Sequence, residues 1–289
     1  MDIYHADHEI PKGSKLYFGK SADIKREFEY CAAKILKTYD YKEIVTPYFS
    51  YHQDLVVSFK ERVNLTDSYN QILSLRADST VDVVRIVRQR FKDKQTKRLF
   101  YIQPVFKYPN KEIYQIGAES IGKRESNLAL EIVSKIFDKF KIELNLQISH
   151  IKIPQILCSI LGLDMEIFKD GSWVGVLRDK KIGWVDALIR LSKKEDLAKT
   201  IELVPQELKE SLVEMKELVE PLNSNNLYLM PLYYSKMNYY DRLFFRFFDK
   251  NEIYCSGGGY EIEGMESSGF GIMVDSVVEK ILENKGNRQ

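Results

Sequence analysis

Apolar residues recur every third or fourth position at Ile24, Phe28, Cys31, Ile35 and Leu36. One apolar stripe of this kind predicts a helix over about 22–38, with Ser21 as its cap. The β-branched and aromatic run Tyr41–Thr46 reads as a strand stopped by Pro47, which has no backbone donor to give a ladder. A second helix starts near Ser79, with Val83, Val84 and Val87 inward and Arg85, Arg88 and Arg90 outward. Residues 99–107 and 113–121 are strand-like and flank Tyr108-Pro109-Asn110-Lys111-Glu112, so they read as an antiparallel hairpin. Ser126 is placed to cap a helix carrying Leu128, Ile132, Val133, Ile136 and Phe137, and Ile142, Leu144, Leu146 and Ile148 then alternate as a half-buried strand does.

From about 152 to 224 the text becomes rich in Leu, Lys and Glu and reads as helices without strands. Strand signals return at Leu227–Tyr234, Leu243–Phe248 and Glu252–Cys255, followed by Gly257-Gly258-Gly259, and a last helix runs from Met273 to Leu282. The expectation is an α+β fold: an antiparallel sheet flanked by helices, with a core of residues 1–151 and 225–289 and a helical insertion over 152–224. No internal repeat is visible.

Composition narrows the function. A chain of 289 residues with 44% hydrophobic and 29% charged residues has the makings of a folded core. Its 43 basic and 42 acidic side chains nearly cancel, which argues against a dedicated nucleic-acid binder. Cys31, Cys158 and Cys255 are widely spaced and odd in number, so neither a disulfide framework nor a zinc site is suggested. No apolar run reaches bilayer length and no leader pattern opens the chain, which fits a cytoplasmic protein without a membrane anchor. His5, His8, His52 and His150 lack metal-ligand spacing, and no metal or cofactor is expected.

Several segments, in order, resemble the class II histidyl-tRNA synthetase catalytic core. The helix and strand ending at Thr46-Pro47 resemble motif 1, the dimer-forming element of that family. Leu75-Arg76-Ala77-Asp78-Ser79-Thr80 is similar to its Leu-Arg-Pro-Glu-Gly-Thr segment, and Tyr101–Tyr108 to the start of motif 2. Gln115-Ile116-Gly117-Ala118-Glu119 matches the Gln-x-Gly-x-Glu strand of the amino-acid pocket. Met237-Asn238-Tyr239-Tyr240 resembles part of the histidine-specific Arg-Gly-Leu-Asp-Tyr-Tyr motif, Gly257-Gly258-Gly259-Tyr260 its Gly-Gly-Arg-Tyr, and Gly269-Phe270-Gly271-Ile272 the entrance to motif 3. The resemblance implies a histidine-like pocket in which Asp78, Thr80 and Gln115 accept from an ammonium, Glu119 and Tyr240 pair with an imidazole, and Tyr239 is a further lining residue.

The departures fall on positive charge. The family's activation arginines correspond here to Lys107 in motif 2, Ser235 in the histidine-specific motif and Ser276 in motif 3. Lysine loses the bidentate fork that grips carboxylate and phosphate together, and serine has no charge. Removing one preorganised donor typically costs about a hundredfold to a thousandfold in rate. The motif 2 loop is cut to a tight turn, and the chain ends after the motif 3 helix with no segment for an anticodon-binding domain, so tRNA is not an expected ligand. A synthetase-like core of this kind resembles the regulatory subunits of ATP phosphoribosyltransferase. That resemblance implies no catalytic residues, a short-form catalytic subunit as partner, a homodimer within a hetero-oligomer, and histidine as effector of the first step of histidine biosynthesis.

Two other readings compete: a truncated class II paralogue that activates an amino acid with ATP, which needs Arg242 or Arg246 to replace the missing cations, and a stress-sensing pseudo-synthetase module. Plainer readings also stand beside each motif. Gln115 and Glu119 are also what a solvent-facing strand carries, Tyr239 and Tyr240 are also packing residues, the glycine run is also a hairpin turn, and the three arginines are also a solvated helix face.

Overall fold

The computed structural model describes residues 9–51, 53, 57–91, 97–222, 226–235 and 239–286. In chain order its elements are α1 (Lys20–Thr38), β1 (Lys42–Glu43), β2 (Phe49–Ser50), β3 (Asn64–Thr66), β4 (Ile72–Leu75), α2 (Ser79–Arg90), β5 (Arg98–Lys107), β6 (Lys111–Ile121), α3 (Ser126–Lys139) and β7 (Asn145–His150). They continue as α4 (Lys152–Leu161), α5 (Glu166–Lys169), α6 (Trp173–Asp179), α7 (Gly183–Arg190), α8 (Leu197–Leu203), α9 (Gln206–Val219), β8 (Leu227–Leu229), β9 (Tyr240–Asp249), β10 (Glu252–Ile262), β11 (Met265–Met273) and α10 (Val274–Gly286). Two compact units emerge, residues 1–119 with 271–289, and residues 120–270.

In the first unit α1 buries Ile24, Phe28, Ala32 and Leu36, so the apolar period does set its inner face. Its start differs from expectation: Gly19 occupies the cap position at φ 52°, and Ser21 lies inside the first turn. The Ser21 hydroxyl closes a local ring with the Phe18 backbone, accepting at 3.0 Å and donating at 2.9 Å, and is thereby drawn off the helix donors. The strand expected over Tyr41–Thr46 shrinks to β1, which pairs parallel with β5 through Lys42 with Leu99 and Glu43 with Phe100. Strands β2, β4 and β3 form a small antiparallel sheet. At two to four residues each, these strands are too short for any period to announce them. The order in the larger sheet is β1-β5-β6, and only residues 108–110 connect the last two strands, as the hairpin reading required.

In the second unit the order is β11-β10-β9-β7-β8. Helix α3 buries Ala129, Ile132, Val133, Ile136 and Phe137, with Glu125 at the cap position and Ser126 as its first residue, so the predicted Ser126 cap does not form. Strand β7 is covered on both faces, not one: Leu146 through His150 are all buried. It pairs antiparallel with β9 and parallel with β8. With the β1–β5 pair of the first unit also parallel, strand pairing is mixed where antiparallel pairing was expected. Parallel pairing needs a long connection, and the six helices between Lys152 and Val219 supply it for β8.

The Gly257-Gly258-Gly259 run is not a turn, because all three residues lie within β10. A Cβ on Gly257 would stand 2.5 Å from the Phe245 ring and 2.6 Å from the Gly269 carbonyl oxygen. Glycine is therefore what lets the neighbouring strands close onto β10. The segment Gly269–Ile272 is part of β11, a strand that the alternation of its residues did not announce.

Candidate functional site

The expected pocket residues Asp78, Thr80, Gln115 and Glu119 belong to the first unit. Glu119 is 1% exposed, which excludes the solvent-facing reading for it. Its Oε1 accepts from the Thr80 hydroxyl at 2.8 Å and from the Tyr101 hydroxyl at 3.3 Å. Gly117 explains how Tyr101 gets there. A Cβ on Gly117 would lie inside the Tyr101 ring, with Cε2 only 2.5 Å away, so the tyrosine crosses β6 where β6 has no side chain. The glycine of the Gln-x-Gly-x-Glu pattern thus makes room for the donor that holds its glutamate.

Asp78 caps α2, its carboxylate accepting from the Val81 amide at 3.3 Å. Gln115 is half-buried, and its amide nitrogen donates to the Met273 sulfur at 3.4 Å. The structure therefore brings Thr80 and Glu119 into direct contact, while Asp78 and Gln115 find partners of their own.

Beneath these residues lies a polar layer that sequence reasoning missed. Arg76 is fully buried and donates to the Pro104 carbonyl from Nε at 3.1 Å and Nη2 at 2.6 Å, and to the Thr46 and Pro47 carbonyls and the Thr46 hydroxyl at 2.9–3.1 Å. Burial lowers its pKa from the ordinary guanidinium value, yet the ring of carbonyls suits a fixed planar fork. Gln53 accepts from the Ala77 and Asp78 amides at 2.8 Å each, which fixes the turn leading into α2. Its amide nitrogen donates to Asp82, which also accepts from Ser50 at 2.7 Å. Burial raises the Asp82 carboxyl above its ordinary value, opposed by these two hydrogen bonds. The segment Leu75–Thr80 was the available signal, because its arginine sits among residues otherwise fit for a turn.

The positions of the lost arginines differ in surroundings. Lys107 is exposed at the end of β5. Ser276 is 7% exposed on α10, and its neighbour Asp275 accepts from the Tyr17 hydroxyl and from the Tyr114 amide, the latter at 3.0 Å. In the second unit Ser235 is also 7% exposed. Tyr239 and Tyr240 belong to an aromatic cluster: their centroids are 4.8 Å apart, Tyr239 meets Tyr260 edge-on at 5.7 Å, and Tyr240 meets Phe244 at 5.0 Å. Both tyrosines therefore make the ring contacts that the packing reading expects of at least one of them. Met237 and Asn238, quoted in the same motif, lie outside the described residues, as do His5, His8 and His52.

The arginines that the amino-acid-activating reading needs as replacements are already committed. Arg242 donates from Nη1 to Glu214 at 2.8 Å, and Arg246 donates to Gln147 while lying over the Tyr233 ring at 5.0 Å. His150, given no role from sequence, is buried with Nε2 3.2 Å from Glu214. That bond holds the Glu214 carboxyl below its ordinary value.

The histidyl-tRNA synthetase family model matches residues 20–277. The ATP phosphoribosyltransferase regulatory subunit of Wolinella succinogenes is 39% identical over 279 residues, covering 96% of this chain and 96% of the relative. The protein of the same description from Helicobacter hepaticus is also 39% identical, covering 96% and 99%. A histidine–tRNA ligase of Clostridium kluyveri is 25% identical over 96% of this chain and 74% of its own length. Among solved structures, an ATP phosphoribosyltransferase regulatory subunit/histidyl-tRNA synthetase from Bacillus halodurans superposes with a TM-score of 0.84 at 20% identity, over 94% of this chain and 83% of that one. That likeness confirms the class II synthetase fold. The chain therefore belongs to the histidyl-tRNA synthetase family and, within it, to the ATP phosphoribosyltransferase regulatory subunits.

Proposed function

We propose that this protein is a regulatory subunit without catalytic activity of its own, which binds and activates a short-form ATP phosphoribosyltransferase catalytic subunit and conveys feedback inhibition by histidine. The observation that carries the reading is the loss of fixed guanidinium groups: Lys107, Ser235 and Ser276 stand where the synthetases place arginines. Adenylate formation develops charge on phosphate, and preorganised cations supply much of its rate. The commitment of Arg242 to Glu214 and of Arg246 to Gln147 argues against replacements from β9. Histidine is held in the first unit by Asp78, Thr80, Gln115 and Glu119, and tRNA is not a ligand.

A homodimer forms the heart of the assembly, in the cytoplasm. Its support is the run of exposed apolar side chains Tyr48, Phe49, Tyr51 and Ile72 on and beside the small sheet of the first unit, a surface that a symmetry mate would cover. Residues 152–224 are a helical insertion into a core of 1–151 and 225–289. The test is histidine-dependent exchange between pyrophosphate and ATP by the purified chain. The reading expects none, and measurable exchange would return the protein to the amino-acid-activating ligases.

A further inference from the structure

In the first unit a short link, Ala77 and Asp78, joins the small sheet to helix α2. The backbone before it is held by the main chain. The Arg76 amide donates to the Tyr48 carbonyl at 2.7 Å, and the Arg76 carbonyl accepts from the Phe106 amide at 2.8 Å. The helix takes over at Ser79. A buried backbone donor needs an acceptor, and for the two amides of the link one side chain from another segment supplies it. Gln53 Oε1 accepts from the Ala77 amide and from the Asp78 amide, each at 2.8 Å.

The other end of the same side chain is equally used. Gln53 Nε2 donates to the Asp78 carbonyl at 3.0 Å and to Asp82 at 2.9 Å. Asp82 decides which way the amide points, because a carboxylate accepts only from its NH2 end. The second Asp82 oxygen is held in turn by the Ser50 hydroxyl at 2.7 Å. Gln53 is 0% exposed, so water does not compete for these bonds. The N–H and the C=O of Asp78 are thus both tied to one rigid side chain.

This fixes the point from which the Asp78 carboxylate departs, while its bond from the Val81 amide fixes the far end. A carboxylate meets an ammonium at about 2.7–2.9 Å, and a site about 1 Å too loose loses such a contact. Glu119 takes its position separately, from Thr80 and Tyr101. With Asp78 taken as an acceptor for the α-ammonium of histidine, as proposed above, we infer that Gln53 is the positioning residue for that end of the pocket. It acts through Asp78 and is itself oriented by Asp82.

The experiment is a double-mutant cycle read by calorimetric titration of the full chain with L-histidine. Asp78→Asn removes the charge and keeps a residue fit to cap α2. Gln53→Met keeps the length of the side chain and removes its four hydrogen bonds. Each single variant binds L-histidine about tenfold more weakly, the loss of one charged hydrogen bond. Because Gln53 works through Asp78, the double variant is also about tenfold weaker, whereas a residue that merely stabilises the fold would add its loss and give about a hundredfold. If Gln53→Met fails to fold, Asp82→Ala frees one end of the Gln53 amide and takes its place, with about a threefold loss that vanishes beside Asp78→Asn. Undiminished binding in either single variant, or losses that add in the double one, would overturn the role of Gln53 and leave histidine binding itself standing. A wild-type chain that takes up no histidine would overturn the pocket and this role with it.

Discussion

Substituting Gly117 with alanine tests the most specific packing relation in the pocket. The new Cβ would fall within the Tyr101 ring, whose Cε2 is 2.5 Å away, and Tyr101 is 2% exposed with its hydroxyl on Glu119. Overpacking of this kind costs about 1–3 kcal/mol. Displacing the ring also removes a hydrogen bond to a charged group, about another 1.5 kcal/mol. Gly117→Ala is therefore expected to destabilise the protein by about 3 kcal/mol in urea unfolding, and Tyr101→Ala by about the same through its cavity. The two perturbations share one cause, so the double variant loses about 3–4 kcal/mol and not about 6, a coupling of about 2–3 kcal/mol in the cycle. Additive losses, or a neutral Gly117→Ala, would refute the account of why glycine stands there.

Other predictions follow from the buried polar groups. Arg76→Ala leaves the Thr46, Pro47 and Pro104 carbonyls without their donor and costs about 4 kcal/mol in chemical denaturation, and Arg76→Lys recovers only part because it cannot span them. Glu214 titrates below its ordinary value of 4.5 in the folded state, held there first by the His150 hydrogen bond. A depressed carboxyl adds stability that is complete above the unfolded value and is lost as pH falls through the folded one. Stability measured from pH 7 downward therefore falls off below about 4.5, and Glu214→Gln flattens that decline.

How much of this was legible depended on the range of the signal. Helices α1, α2 and α3 announced themselves because burial repeats at 3.6 residues within one element, and β5 and β6 because a turn separates two strand-like runs. The caps were misread: Ser21 and Ser126 have the right chemistry one or two residues too late, and the Ser21 hydroxyl has a closer partner in Phe18. Gly257–Gly259 fitted a sharp turn and a close approach equally well, because sequence does not reveal Phe245 and Gly269 pressing in from the flanking strands, and the close approach is the one realised at Gly257. Strand β7 alternates in part, yet its polar residues Gln147, Ser149 and His150 are buried too, with partners as distant as Glu214 and Arg246. In the pocket, the Gln115–Glu119 pattern was readable by motif. Arg76, Gln53 and Asp82 were not, since their roles depend on carbonyls and amides that only the fold brings together.

The most direct test of the central claim is phosphoribosyl transfer by a short-form ATP phosphoribosyltransferase catalytic subunit from the same organism, assayed with and without this chain. The account predicts that turnover appears on mixing, that histidine suppresses it, and that the isolated chain contributes none. A catalytic subunit equally active alone, and indifferent to added chain and histidine, would contradict it.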